Sequence, residues 1–219
     1  MPPLHMPRED PPMRLATVVL LALSLMPLAP ADSTAATLML NEFMAGPARD
    51  WDGNGTFSSR DDEWIEVFNA GATPVDLSAF VITDGDSIPR YAPTGTLSPG
   101  AWLLVFGRES VDWERANGFP AFGFSLANTG DRVMLWQVVA GDTLLVDSYA
   151  YTSHQAASDR SVGRLPDGGG WSLFDALNPY TGSTAPLGNG CLPSPGSSDL
   201  CGTTGTAKIT WGKLKALYR

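Results

Sequence analysis

The chain is poor in the residues that bind transition metals and perform acid–base catalysis. It holds 2 histidines and 2 cysteines in 219 residues. His5 lies in an N-terminal segment that we expect to be removed, which leaves His154 alone. A zinc site takes about four nitrogen or sulfur ligands, so a zinc site is not expected here. In an exported chain, Cys191 and Cys201 are predicted to form a disulfide that closes a small Pro/Ser/Gly-rich loop.

The chain also has fewer basic than acidic residues, and it has no long apolar run. Lys and Arg number 14 against 23 Asp and Glu, which gives a net charge of −9. Nucleic-acid binding requires a basic patch, and the body of the chain has none, so we expect no nucleic-acid partner. The longest apolar segment, Leu15 to Leu28, is shorter than the about 20 residues that span a bilayer. No transmembrane span is therefore expected after processing.

The first 36 residues have the pattern of a secretory signal peptide. A positive residue after Met13 is followed by the apolar segment and then by small residues, with cleavage expected after Ala36 or Ala31. The residues before Met13 fit a start codon placed too early, or a proline-rich tail. An uncleaved N-terminal anchor is the alternative. The mature protein is therefore predicted to be exported, as a secreted, periplasmic or cell-surface protein.

Residues 37–177 are predicted to form an all-β, antiparallel β-sandwich. The 23 glycines and 18 prolines favour short strands and turns. Residues 101–106 are apolar on both faces, which predicts a central, covered strand. Residues 111–117 are expected to form one or two helical turns. The expected strands are 37–44, 64–69, 75–77, 80–84, 101–106, 132–136, 144–151 and, as the last one, 161–165.

Two further segments follow the predicted sandwich. Residues 178–206 are rich in Gly, Pro, Ser and Thr and are interpreted as a linker that contains both cysteines. Residues 207–219 are basic and aromatic, which is typical of a terminal sorting, surface-attachment or docking signal. An amphipathic helix on a membrane surface and a frayed tail without a role are the alternatives for this tail.

The segment between the first two strands has the ligand spacing of a twelve-residue calcium loop. Gly55 occupies the sixth position, where the chain turns sharply. Loops of extracellular modules bind calcium at about 10⁻⁴ to 10⁻³ M, so calcium would be a structural cofactor. A solvated acidic loop closed by Asx turns is the alternative. The predicted ligands are Asp50, Asp52, Asn54, Thr56 through its carbonyl, Ser58 and Asp61, with Asp62 and Glu63 as substitutes for the last.

Two other groups of polar residues are candidates for catalysis. Glu42, Glu66 and Arg164 could act as a carboxylate pair with an electrophile, but strand residues of this kind more often tie strands together by ion pairs or hydrogen bonds. His154 has serines and an aspartate nearby. A nucleophile and base need a third orienting group in space, so His154 is interpreted as a loop residue, and no catalytic residue is predicted.

Six short motifs follow one another along the chain: Leu40-Asn41-Glu42, the run 62–69, Val75 to Phe80, Leu97-Ser98-Pro99-Gly100, the run 126–133 and the run 160–168. In this order they resemble the lamin-tail domain, an immunoglobulin-like sandwich found in nuclear lamins and in many exported bacterial proteins. The resemblance covers residues 37–174 and includes the acidic loop. Ala79 departs from the family, which usually has glycine there, and should only adjust a turn. No heptad pattern suggests a lamin rod.

These observations predict a non-catalytic, exported structural or interaction module, stabilised by calcium. Its partner is expected to be an unknown protein or an envelope component. The alternative is a secreted hydrolase of nuclease or phosphatase type, or an accessory subunit of one, because this domain is often joined to such enzymes in bacteria. Those enzymes carry clusters of His and Asp for metals, whereas the mature chain has one histidine.

Overall fold

Short strands account for most of the secondary structure in a computed structural model that describes residues 38–198 and residue 201. The predicted signal peptide (1–36) and terminal tail (207–219) lie outside the described residues. A 3₁₀ turn (Leu77–Ala79) precedes the fourth strand. The elements are β1 (Leu38–Met44), β2 (Trp64–Asn69), β3 (Val75–Asp76), β4 (Phe80–Thr83), β5 (Pro89–Tyr91), β6 (Thr96–Leu97), β7 (Trp102–Phe106), α1 (Gly107–Ala116), β8 (Gly130–Val139), β9 (Asp142–Thr152), β10 (Ser161–Leu165) and β11 (Gly170–Phe174).

The strands form two main antiparallel sheets. One sheet has the order β11-β10-β1-β2-β7, the other has the order β5-β4-β8-β9, and β3 and β6 make a small separate pair. Their inner faces share one apolar core, in which Leu40 and Ile65 of the first sheet join Ile82 and Leu135 of the second. This arrangement confirms the predicted all-β, immunoglobulin-like sandwich.

A β-bulge in β1 allows two apolar residues that are three positions apart to face the same core. Leu40 and Phe43 are both buried in the core, although a regular strand would place residues three apart on opposite faces. The register runs from Leu40 opposite Val67 to Glu42 opposite Glu66, so Asn41 is the extra residue. The bulge therefore keeps Phe43 in the core and places Glu42 beside Glu66 on the outer face.

The prediction that residues 101–106 form a central strand is wrong. They form β7, which is the edge strand of its sheet. Its apolar outer face is covered by side chains and by the returning chain instead of by a further strand. Trp102 packs on Phe68 with ring centroids 5.9 Å apart, and a Cβ placed on Gly196 would lie 3.5 Å from Leu104.

The last strand also differs from expectation. Residues 170–174 form β11, which pairs antiparallel with β10 from Leu165 opposite Gly170 to Ser161 opposite Phe174. The glycine-rich run before β11 acts as the tight turn of a hairpin, in which Gly169 N–H donates to Pro166 O at 2.7 Å.

The segment expected to be a linker lies against the sandwich along its described part. We call residues 175–198 the strap. Arg160 Nε donates to the carbonyl of Asn178 at 2.6 Å, and Asn189 N–H donates to the carbonyl of Leu173 in β11 at 2.9 Å. Composition does not predict these hydrogen bonds, because they join the strap to residues of the sandwich that are distant in the sequence. The Cys191–Cys201 disulfide is present.

Substitutions on the β8–β9 hairpin test the location of the core. Leu135 has no exposed surface, whereas Leu144 is 54% exposed. Leu135→Ala is expected to lower the free energy of unfolding by about 3 kcal/mol, because it leaves a cavity. The matched control Leu144→Ala should change it by less than about 0.5 kcal/mol. Urea denaturation measures both values, and equal losses in the two variants would contradict this packing.

Candidate functional site

The acidic loop (residues 50–62) connects β1 to β2 and gathers three carboxylates. Asp50, Asp52 and Asp62 each offer a carboxylate oxygen, and these oxygens all lie within 4.8 Å of one another. Asp62 is fully buried, while the other two are partly or largely exposed. The site therefore has a buried floor and an open rim.

Asp62 holds the loop closed. Its Oδ1 accepts the N–H groups of Trp51 (2.7 Å) and Asp52 (3.0 Å), and its Oδ2 accepts the N–H of Ser58 (2.8 Å). These bonds connect both arms of the loop to the residue that leads into β2. The position of Asp62 is thus fixed by backbone donors, as a preorganised ligand requires.

The rim is shaped by nested Asx turns. Asp50 accepts the N–H groups of Asn54 (3.1 Å) and Gly55 (2.7 Å), and Asp52 accepts Asn54 N–H at 2.9 Å. Gly53 and Gly55 have φ values of +70° and +90°, in the left-handed region that favours glycine. Glycine at these places lets the chain turn tightly around the two carboxylates.

Asp61, the predicted last ligand, is not one of the three converging carboxylates. Asp61 forms an ion pair with Arg60 at 2.9 Å, and its own N–H donates to Ser58 Oγ at 3.2 Å. Asn54 Oδ1 accepts the N–H of Thr56. The structure brings Asp62, a predicted substitute, to the place that the spacing rule assigned to Asp61. The rule describes a loop between helices, whereas here the chain enters a strand.

Glu63, the other substitute, is buried beneath the loop. Burial raises the pKa of Glu63 well above its usual range, although Leu126 N–H donates to the carboxylate and opposes the shift. The nearby carboxylates Asp131 and Asp84 raise the pKa further. Glu63 thus occupies a setting that favours the neutral acid.

Asp159, which lies on the loop between β9 and β10, anchors the start of the acidic loop. It forms an ion pair with Arg49 (2.9 Å) and accepts the Ala48 N–H and the Trp51 indole N–H, both at 2.9 Å. Burial acts to raise the pKa of Asp159, but these three donors stabilise the charged form and leave the pKa below its usual range. Sequence reasoning missed this role, because the contacts span more than a hundred residues.

The donor set of the acidic loop fits a hard cation. All three converging ligands are carboxylate oxygens, and no histidine or cysteine lies in the loop. Calcium and magnesium prefer such oxygen ligands, whereas zinc and copper sites use nitrogen and sulfur. The metal assignment itself stays a prediction.

The predicted polar cluster divides into two parts. Glu42 and Glu66 are Cα partners across β1 and β2. Arg164 points elsewhere: it forms an ion pair with Asp147 at 3.0 Å and lies 4.4 Å over the Trp171 ring. The arginine thus ties β10 to β9.

His154 is part of a loop contact. Its Nδ1 lies 2.7 Å from Thr152 Oγ1, its Nε2 lies 3.4 Å from Pro186 O, and its ring stacks on Tyr180 at 4.7 Å. The neighbouring Asp159 contacts Arg49 and Trp51 at the start of the acidic loop instead. The geometry therefore joins His154 to Thr152 and to the strap.

The contacts of Asp159 predict how the stability of the fold changes in acid. Because the pKa of Asp159 is lower in the folded than in the unfolded chain, its stabilisation is full above about pH 4 and is lost as pH falls through the folded value. Asp159→Asn should lower the melting temperature at pH 7 and make its fall between pH 5 and pH 3 shallower. The control Asp112→Asn, whose carboxylate is 67% exposed, should leave the profile unchanged. Parallel wild-type and Asp159→Asn profiles would contradict the anchor.

Comparison with known proteins places this fold in a family. The sequence model described as Lamin Tail Domain matches residues 31–153, which span β1 to β9. Comparison with curated proteins gave no match, and comparison with solved structures gave none either. The matched part covers more than half of the chain and contains the acidic loop, the whole four-stranded sheet and strands β1, β2 and β7 of the five-stranded sheet. The chain therefore belongs to the lamin tail domain family.

Proposed function

We propose that the chain is an exported structural and interaction module without catalytic activity, and that its acidic loop binds calcium. The observation that carries the calcium proposal is the convergence of Asp50, Asp52 and Asp62 within 4.8 Å. Like charges at this distance disfavour one another, and a divalent cation between them removes the repulsion. Binding would link the open rim of the loop to its buried floor.

Calcium would stabilise the fold and not act as a sensor. The floor residue Asp62 comes two positions before β2, so an ion held on it fixes the start of that strand. Affinities of about 10⁻⁴ to 10⁻³ M suit the calcium concentrations found outside cells. A weak site that is filled outside the cell adds stability where the protein works.

The absence of catalysis is supported by how the polar groups are used. Glu42 accepts hydrogen bonds from Ser161 and Ser194, and His154 packs against Tyr180. Groups held in this way bind their own chain and hold the fold together. The role that remains is to present a surface to a protein or envelope component.

Export is supported by the sequence pattern of residues 1–36 and by the disulfide, because disulfides persist in oxidising compartments. Within the described part of the chain, no helix has the length and apolar character needed to cross a membrane. The basic, aromatic residues 207–219 would then serve as a sorting or attachment signal.

Calcium titration tests the proposed site. With a dissociation constant of about 10⁻⁴ to 10⁻³ M, 10 mM calcium should stabilise the fold by about 1.4 to 2.7 kcal/mol. The double variant Asp50→Asn/Asp52→Asn should lose this gain, because it removes both rim charges. Calorimetric titration and melting curves with and without calcium measure the effect.

The matched control is Asp142→Asn, which removes an exposed carboxylate at the distant β8–β9 turn. It should keep the calcium response of the wild type. If calcium produces neither heat nor a higher melting temperature in the wild type, the acidic loop is only a set of Asx turns.

Cell fractionation tests export separately. The full chain with a C-terminal epitope should appear in the envelope or the medium, processed near Ala31 or Ala36. Leu20→Asp/Leu23→Asp interrupts the apolar run and should leave the protein unprocessed in the cytoplasm. An unprocessed, cytoplasmic wild-type chain would refute export.

A further inference from the structure

The outer face of the five-stranded sheet carries two buried carboxylates side by side. Glu42 and Glu66 are Cα partners, and neither has exposed surface. Ser161 Oγ donates to Glu42, and Asn41 Nδ2 donates to Glu66 at 2.8 Å. We call this pair the carboxylate floor. Buried carboxylates are costly unless hydrogen-bond donors replace the water that they lose.

Part of the strap supplies such donors. Ser194 N–H lies 3.2 and 3.1 Å from the two Glu42 oxygens, and Ser194 Oγ donates to Glu42 Oε2 at 3.0 Å. Gly196 N–H donates to Glu66 Oε2 at 2.7 Å. A Ser-Pro-Gly turn, with Pro195 at its centre, thus covers both carboxylates at once.

This turn lies between the two cysteines, beyond a fixed base. Cys191 O accepts Ala176 N–H at 2.9 Å, and Asn189 N–H donates to Leu173 O at 2.9 Å, so the strap is firmly attached up to Cys191. The next residue, Leu192, is 59% exposed and adds little apolar burial. Pro193, the residue before the turn, is buried. Attachment of the turn therefore depends on this proline, on the polar contacts of the turn and on the disulfide.

We propose that the carboxylate floor is a binding site for the Ser194-Pro195-Gly196 turn, and that the Cys191–Cys201 bond controls its occupation. The disulfide spans a sequence separation of 10 and holds the turn over the floor. Opening this cross-link restores chain freedom worth about a 100-fold change in an equilibrium constant, by loop-closure entropy. The turn then leaves, and Glu42 and Glu66 become accessible to water and to donor groups of other molecules.

The chemical step is reduction by a dithiol. Cys201 is partly exposed and Cys191 is buried, so a thiolate of the dithiol attacks Cys201 Sγ and Cys191 Sγ leaves as a thiolate. The second thiol of the reductant then attacks the mixed disulfide and releases Cys201. The dithiol gives up two electrons and two protons and becomes a disulfide, and both cysteines end as thiols.

Amide hydrogen exchange on the full chain tests the control by the disulfide. After reduction with dithiothreitol, the amides of Ser194 and Gly196 should exchange about 100-fold faster. The amides of Ile82 and Leu135, in the other sheet, should keep their rates. Cys191→Ser/Cys201→Ser should show the fast rates with and without reductant.

Carbodiimide labelling of carboxylates tests the floor itself. Labelling of Glu42 and Glu66 should rise at least about tenfold on reduction, in step with the change in exchange. In the oxidised chain, Ser194→Ala should raise Glu42 labelling, because it removes one donor. The control Ser183→Ala should not, since Ser183 is exposed and lies in the strap outside the turn.

Two results would overturn the proposal. If thiol alkylation shows complete reduction while the Ser194 and Gly196 amides keep their rates, the turn is held without the disulfide. If the Ile82 and Leu135 amides accelerate equally, the disulfide stabilises the whole fold and does not control one site.

Discussion

One extra residue in β1 determines the arrangement of both faces of the five-stranded sheet. The bulge at Asn41 keeps Leu40 and Phe43 in the core and turns Glu42 outward, opposite Glu66. Without the bulge, every later side chain of β1 would change face. The core and the carboxylate floor are therefore two results of a single register shift, and the strap is the cover that the buried carboxylates require.

Most of the strands could be predicted because they follow local rules of alternation and turn chemistry, but β5, β6 and β11 were not expected. The neighbours of each strand in its sheet could not be predicted. Residues 101–106 have the apolar character of a central strand, yet β7 lies at an edge, because Trp102 and Leu104 are covered by tertiary contacts. Apolar character reports that a strand is covered, but it does not identify what covers it.

The acidic loop shows the same limit. Spacing located the loop and two of its three converging carboxylates, because Asx turns and glycines act within a few residues. The ligand spacing predicted Asp61, and not Asp62, as the last ligand, because the spacing rule describes a loop that is followed by a helix. The anchor at Asp159 and the docking of the strap depend on long-range hydrogen bonds, which leave no pattern in the neighbouring sequence.

The disulfide also affects how the chain carries tension. A pull on the residues after Cys201 passes directly through the sulfur–sulfur bond to Cys191, and from there to Ala176 and β11. The turn that contacts Glu42 and Glu66 lies outside this path and carries no load. A protein held at a surface by its C-terminal side can therefore be pulled without disturbing the cover of its carboxylate floor, as long as the disulfide is intact.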